Sequence, residues 1–180
     1  MIRIFDFLLS FIGLIVLLPI LILLWIIGLF ENGDPLFKQY RVGHNQKLFL
    51  LIKFRTMRKE TKFIATHLVD DAMITSFGYY LRLTKFDEIP QLYNVLIGDM
   101  SLVGPRPCLS NQKKLIIERK KRGVFKVKPG ITGFAQISKI TMEKPTLLAK
   151  TDLKMINKMN LYYYFYYIIK TFLLVLRKRV

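Results

Sequence analysis

DEIPQLYNVLIGDMSLVGPRP, Asp87 to Pro107, places two adjacent carboxylates before an apolar repeat and ends with an arginine between two prolines. Pro90 lacks an N–H and is accepted only in a helix's first turn, so a helix is expected to begin at about Asp87 to Ile89. That start puts both carboxylates at the positive end of the helix. Ile89, Leu92, Val95 and Leu96 recur at helical spacing and define a face to bury, and Gly98 is a natural stop. Beyond it, Pro105 and Pro107 fix the backbone around Arg106, which then loses less entropy on gripping an anion. An Asp–Glu pair at a helix start is ordinarily a cap and an answer to the macrodipole. Here acids are scarce, 12 Asp plus Glu against 29 Lys plus Arg, which also admits a chemical role for the pair.

No charge interrupts the chain from Phe7 to Phe30. As a helix this stretch is about 36 Å long, enough for a hydrocarbon core of about 30 Å. It exceeds the apolar part of a signal peptide, and the following GLFENGDP is a poor cleavage site, so the segment is expected to be retained. Pro19 near its middle predicts a break or kink. Arg3 on one flank and Lys38, Arg41 and Lys47 on the other put positive charge at both ends. A kinked span and a re-entrant helix with both ends on one face both accommodate these features. At the other terminus, Leu161 to Val180 mixes tyrosines, aliphatics and Lys170, Arg177, Lys178 and Arg179. An interfacial helix fits best, with a second span or a core helix as competing readings.

The 180 residues suffice for one domain with a real core once a membrane segment is set aside. The formal charge of +17 calls for anionic partners, whether nucleic acid, lipid headgroups or a phosphorylated small molecule. A hydrophobic content of 52% argues against a disordered basic tail. Cys108 is the single cysteine and is expected to be a small buried side chain.

Between the ends, Glu31 to Pro35 (ENGDP) reads as a turn releasing the chain into water. LFLLIKFRTM, Leu48 to Met57, is strand-like and puts Lys53 and Arg55 on one face, where they either hold an oxyanion or are solvated. Lys59 to Asp71 is expected to be a loop with a short helix. Ile74 to Leu83 and the basic Lys113 to Arg122 are expected to be helical, the latter as a solvated face. In KPGITGFAQI, Lys128 to Ile137, Pro129-Gly130 suits a type II turn and Gly133 allows a close approach. His44 and His67 lack a partnered spacing and are read as surface residues.

FRTM, LRLTKFDEIPQLYNVLIGDMSLVGPRP and KPGITGFAQ together resemble the bacterial sugar transferases, small monotopic phosphoglycosyl transferases, and the resemblance extends over nearly the whole chain. It implies transfer of a sugar 1-phosphate from a nucleoside diphosphate sugar, usually a UDP-sugar, to the polyprenyl carrier undecaprenyl phosphate, with release of UMP. It implies Asp87 as nucleophile beside Glu88, an aspartyl phosphosugar intermediate, and Mg²⁺ held by Asp87, Glu88 and the substrate phosphates. A re-entrant N-terminal helix broken at Pro19 is implied as well. A carboxylate attacking a pyrophosphate is an anion approaching an anion, so cations must neutralise the phosphates. Lys53, Arg55, Arg82 and Arg106 are the candidates. Asp99 matches an acid of the block and either serves the site or orders its turn.

The chain departs from the pattern in places. Lys85 stands where a small hydroxyl residue is common, and Leu18 replaces a serine before Pro19. SKITMEKP replaces an Asn-Gly-Arg stretch after KPGITGFAQI, leaving Lys139 as the nearest cation. Asp152 keeps an expected acid, but a later acid is replaced by uncharged residues around Tyr164. The expected architecture is α+β, mainly helical with a small β-sheet. It comprises a membrane helix over 1–30, a catalytic domain over 31–160 on the cytoplasmic face of the bacterial inner membrane, and an interfacial helix over 161–180. The expected partners are the nucleotide sugar, polyprenyl phosphate and membrane lipids, without nucleic acid, and the activity would be the first membrane step of polysaccharide assembly. A basic membrane-surface binding module and an inactive transferase homologue are the alternatives.

Overall fold

A computed structural model describes residues 1–58 and 73–177. The expected loop from Lys59 to Asp71, with His67, and the terminal Lys178 and Arg179 lie outside the described residues. Helix α1, Ile2–Asn32, is longer at both ends than the apolar run that announces it, and Gly33 closes it at φ 66° with its amide on the Leu29 carbonyl, 2.8 Å away. It runs through Pro19 without interruption, and a kink there, the other course the proline predicts, would leave the helical pattern on both sides intact. Proline removes one hydrogen bond there, and the apolar turns on either side carry the helix across the gap.

One stripe of α1 touches the rest of the molecule. Arg3, Asp6, Ser10, Gly13, Leu17, Leu21, Leu24 and Gly28 recur at steps of three and four and are buried or half-buried. Phe7, Phe11, Ile15, Leu18, Ile22 and Trp25 lie off that stripe and are exposed. Both ends of the helix are held. The Arg3 guanidinium donates to the carbonyls of Val95 and Leu96, the latter at 2.7 Å. Buried Asp6 accepts from Ser101 Oγ at 3.0 Å, the Leu102 amide at 2.9 Å and the Tyr164 hydroxyl at 2.8 Å. At the far end the Glu31 carboxylate accepts from Thr75 Oγ1 at 2.9 Å and the Phe77 amide at 3.2 Å, while Leu24 packs on Phe54 and Leu81.

The sheet content divides into two small pairs. Strands β1, Leu36–Val42, and β2, Leu48–Phe54, form an antiparallel hairpin in which Leu36 faces Phe54 and Val42 faces Leu48. Strands β3, Ser101–Val103, and β4, Gly130–Thr132, run parallel. The expected type II turn at Pro129-Gly130 is therefore the entry to a strand. Gly130 is needed because a Cβ there would fall 2.0 Å from the Gly104 nitrogen, and one on Gly133 would meet the Gly104 carbonyl at 2.7 Å.

Helix α2, Ser76–Thr84, is capped by Thr75, whose side chain accepts from the Gly78 amide at 2.9 Å. Helix α3 is Gln91–Ile97, stopped as expected by Gly98 at φ 96°. Helix α4, Lys113–Lys121, carries the basic face, and α5, Phe134–Ile137, follows β4. Helix α6, Pro145–Lys158, packs on α4, and α7, Leu161–Arg177, is the tyrosine-rich segment. Tyr164 and Tyr167 of α7 are buried with Val103 and Met155, while Tyr162, Ile169, Phe172, Leu173 and Leu176 are exposed. Cys108 is fully buried, as its size suggested.

Candidate functional site

Asp87 and Glu88 sit one turn earlier than the sequence suggests. Helix α2 ends on Lys85, a non-glycine residue in the left-handed region at φ 62°, and Phe86–Glu88 form a 3-10 turn. Helix α3 starts only at Gln91, with Pro90 as its N-cap. The chain reverses sharply after Lys85, which the tighter i→i+3 bonds from Glu88 N to Lys85 O, 3.1 Å, and from Ile89 N to Phe86 O, 3.2 Å, accommodate. The carboxylates consequently do not cap α3. Both are buried, and Asp87 Oδ1 has no hydrogen-bond partner among the described residues. A buried, unpaired carboxylate oxygen is costly, and Asp152 Oδ1 has the same condition, so what sets Asp87 apart is its neighbouring acid and the cations around both.

Cations surround the pair. Arg106 Nη2 donates to Glu88 Oε1 at 2.8 Å, and Lys85 Nζ stands 3.9 Å from the same oxygen. Burial, followed by the charge of Glu88, raises the Asp87 carboxyl to about 6 despite Lys53, Lys85 and Arg106. Burial opposes ionisation of Glu88 too, but Arg106 and Lys85 outweigh it and hold that carboxyl down at about 2. Lys53, on β2, is pushed down to about 8 by burial, against the pull of Asp87. Two neighbouring acids thus divide into one that titrates near neutrality and one that stays ionised.

The cations belong to two adjoining cavities of 680 and 410 Å³, which share Lys85, Arg106, Ile131, Gln136 and Lys139. The larger reaches Glu88, and the smaller reaches Arg41, Lys53 and Gln112, while Asp87 lines neither and adjoins them through its neighbours Glu88 and Lys53. Of the phosphate-binding candidates, Lys53 and Arg106 are brought to the site. Arg55 is not: β2 ends at Phe54, the Arg55 amide is drawn to the Pro35 carbonyl at 2.8 Å, and its guanidinium pairs with Asp34 at 2.6 Å. Arg82 Nε donates to Thr56 Oγ1 at 2.9 Å, and its residue lines neither cavity. The Asp99 amide bonds the Asn94 carbonyl at 3.0 Å in the turn after α3, and Asp99 lines neither cavity. His44 Nε2 bonds the Lys126 carbonyl at 3.2 Å, outside the site.

The sequence reading passed over several contributors. Lys139, seen only as the nearest cation in a divergent stretch, lines both cavities from a left-handed backbone at φ 56°. Arg41 lines the smaller one, with a buried Nε lacking a partner among the described residues. Behind the site, Arg119 is 2% exposed and pairs with fully buried Asp152 at 2.8 Å, while its Nη1 donates to the Arg106 carbonyl at 2.8 Å. Arg119 was hidden in a run of lysines and arginines. Asp6 had a visible signal, a lone acid beginning an apolar helix.

A sequence profile described as bacterial sugar transferase matches residues 1–178. The chain is 49% identical over 107 residues to an uncharacterized sugar transferase, EpsL, of Bacillus subtilis, covering 59% of this chain and 52% of that one. It is 36% identical over 156 residues to the undecaprenyl-phosphate galactose phosphotransferase of Salmonella typhimurium, covering 76% and 32%. It is also 34% identical over 172 residues to the UDP-glucose:undecaprenyl-phosphate glucose-1-phosphate transferase of Escherichia coli, covering 88% and 36%. The chain spans about half or less of the length of these relatives.

Proposed function

Because this chain belongs to the bacterial sugar transferase family, we propose that it moves a sugar 1-phosphate from a UDP-sugar to undecaprenyl phosphate, releasing UMP. The observation that carries this reading is buried Asp87, with an unpartnered oxygen, next to Glu88 and within the fields of Lys53, Lys85 and Arg106. The names of two relatives, which specify undecaprenyl phosphate and in one case UDP-glucose, support the substrate pair.

In the first step an Asp87 oxygen attacks the phosphorus that bears the sugar. The bond from that phosphorus to the bridging oxygen breaks, UMP leaves with the electron pair, and the phosphosugar remains on Asp87 as an acyl phosphate. A phosphate oxygen of the lipid then attacks the same phosphorus and frees the carboxylate. A carboxyl raised to about 6 is still ionised at neutral pH and is a better nucleophile than an ordinary one. Arg106 and Lys85 neutralise the phosphate oxygens as charge shifts to the leaving UMP, and Lys53 draws charge from the smaller cavity. Glu88, held ionised, orients Arg106 through their shared hydrogen bond.

The residues fit Mg²⁺. The described residues contain no group of three or more His, Cys, Asp or Glu able to cage a metal. They do offer the free Asp87 Oδ1 beside Glu88, which suits an ion that keeps waters and takes phosphate oxygens as further ligands. Bound there, Mg²⁺ would supply charge neutralisation on the pyrophosphate.

The membrane placement belongs to the same proposal. Helix α1 is apolar and long enough to cross a bilayer, yet the domain holds it at Arg3 and Asp6 and again at Glu31. Both attachments favour a re-entrant helix, with its exposed apolar face in one leaflet, over a span that would carry one end away. The exposed apolar side of α7 supports interfacial packing beside it, and the basic surface supports the cytoplasmic face, where sugar-lipid assembly begins. The test is to incubate detergent-solubilised protein with Mg²⁺, undecaprenyl phosphate and a panel of UDP-sugars, and to measure UMP. Release with one donor is expected. Silence with every donor would leave a basic membrane-surface module or an inactive homologue.

A further inference from the structure

The larger cavity has two unlike ends. At one end Lys85 and Arg106 flank Glu88, and Lys139 and Arg177 are the other cations of the lining. The remaining wall is built mainly from Ile89, Leu92, Ile131, Ile137, Leu174 and Val175. Thr132 and Thr171 also line it, but their hydroxyls bond each other, and Thr171 Oγ1 donates to the Tyr167 carbonyl at 2.8 Å. Their polar groups are therefore already satisfied. Beyond Glu88 and the cations Lys85, Arg106 and Lys139, a nucleoside placed in this cavity would find only Gln136 and Arg177 as polar partners, and would leave most of its base and ribose groups unpaired at a desolvation cost. The smaller cavity also has apolar lining, from Leu51, Ile140, Met142 and Leu148, but offers more polar side chains in Arg41, Lys53, Gln91, Gln112 and Thr141.

Part of the apolar wall comes from α7 and another part backs onto α1, the two helices that present apolar surface outward. Leu92 packs on α1, since a Cβ at Gly13 would come within 3.2 Å of Leu92 Cδ1. Leu174 and Val175 come from α7, whose neighbouring Phe172, Leu173 and Leu176 are exposed. At 680 Å³ the space far exceeds a phosphate and matches a phosphate joined to a few branched hydrocarbon units.

Resting on the function proposed above, we infer that this cavity receives the head of the acceptor lipid. Its phosphate lies between Lys85 and Arg106, and its first isoprene units run along the Leu92, Leu174 and Val175 wall. The donor's nucleoside occupies the smaller, more polar of the two cavities. The two substrates thus approach the shared cations from separate sides, and the hydrocarbon need not cross water to bring its phosphate to Asp87.

The test is photolabelling of the full chain in detergent with a polyprenyl phosphate bearing a diazirine on its second isoprene unit, followed by peptide mapping. Labels are expected on Leu92, Ile131, Leu174 or Val175. Unlabelled undecaprenyl phosphate should suppress them, and Val175→Trp, which fills the wall, should reduce them roughly tenfold or more. Ile169→Trp, on the exposed side of α7, should leave them unchanged. Labels confined to the outward faces of α1 and α7, or indifferent to Val175→Trp in protein with a wild-type melting profile, would overturn the assignment. The readout needs no turnover, so its failure is distinct from that of the transferase reading: competed labelling without UMP release would condemn the reaction, and UMP release with labels only outside would condemn this cavity.

Discussion

Two acid–arginine pairs in this molecule have the same contact distance and opposite purposes. Glu88 meets Arg106 at 2.8 Å with 45% of the arginine side chain exposed, and Asp152 meets Arg119 at 2.8 Å with 2% exposed. Their carboxyls move in opposite directions. Burial raises Asp152, because Arg119 alone does not compensate for it, whereas Arg106 and Lys85 together overcome burial at Glu88 and lower it. The difference lies in how many cations share one acid and where they face. Arg119 spends its charge inside the fold, and Arg106 keeps an open side towards both cavities. The pairs are also coupled, since Arg119 Nη1 holds the Arg106 carbonyl.

The sharpest way to break the comparison is at Asp87, next to the open pair. Asp87→Asn keeps the shape and removes the nucleophile, so UMP release should fall by about 10³-fold or more. Undiminished release would remove Asp87 from the chemistry. At the closed pair, Arg119→Met strands a buried carboxylate and should cost about 3–5 kcal/mol. In detergent this should appear as a melting point lower by roughly 10 °C. Adding Asp152→Leu should restore most of that stability, because the pair is exchanged for apolar packing. Activity should stay low in the double variant, since the hydrogen bond to the Arg106 carbonyl is still missing. Full recovery of both properties would show that Arg119 serves stability alone.

Much of this contrast was legible in the sequence, and the missing part has a physical cause. The apolar run, the glycine stop at Gly98 and the proline-flanked Arg106 each report local backbone chemistry, and α1, α3 and the 105–107 loop follow from them. The 3-10 turn under the dyad was not visible, because it depends on Lys85 adopting a left-handed backbone, which lysine composition does not announce. Alternation correctly put Lys53 and Arg55 on one face, since both stand over the Phe37 ring, at 5.3 and 5.7 Å. What alternation could not show is that Asp34 takes the Arg55 guanidinium as the strand ends, leaving Lys53 alone to reach the site. Arg119 and Asp152 are 33 residues apart on two helices, a long-range pairing that periodicity cannot reveal.

Arg106→Gln should show the reverse balance to Arg119→Met. Loss of a phosphate-facing cation is expected to cost about 10²-fold in kcat/KM. Stability should also fall, but by less than the loss expected of Arg119→Met, because Arg106 is half in water and buried Glu88 keeps Lys85 at 3.9 Å. A large loss of melting temperature would mean that the open pair is as structural as the closed one.

The smallest effect concerns stability at the catalytic acid itself. A carboxyl raised from 3.8 to about 6 binds protons more tightly in the folded state. The wild-type fold therefore loses stability as pH rises from about 4 through 6, by up to ~3 kcal/mol for this group. Asp87→Asn is neutral at every pH and escapes that loss. At pH 7.5 the variant should melt several degrees above wild type, corresponding to ~2 kcal/mol, while its activity is gone. Near pH 4 wild-type Asp87 is itself protonated and the gap should close. An advantage of equal size at both pH values would assign the effect to packing, and a lower melting point at pH 7.5 would mean that the cations stabilise the Asp87 charge. The closed pair offers no such trade, because removing either of its members leaves the other's charge buried without a partner. A gain in stability from losing the nucleophile would thus separate the acid kept for chemistry from the acid kept for the fold.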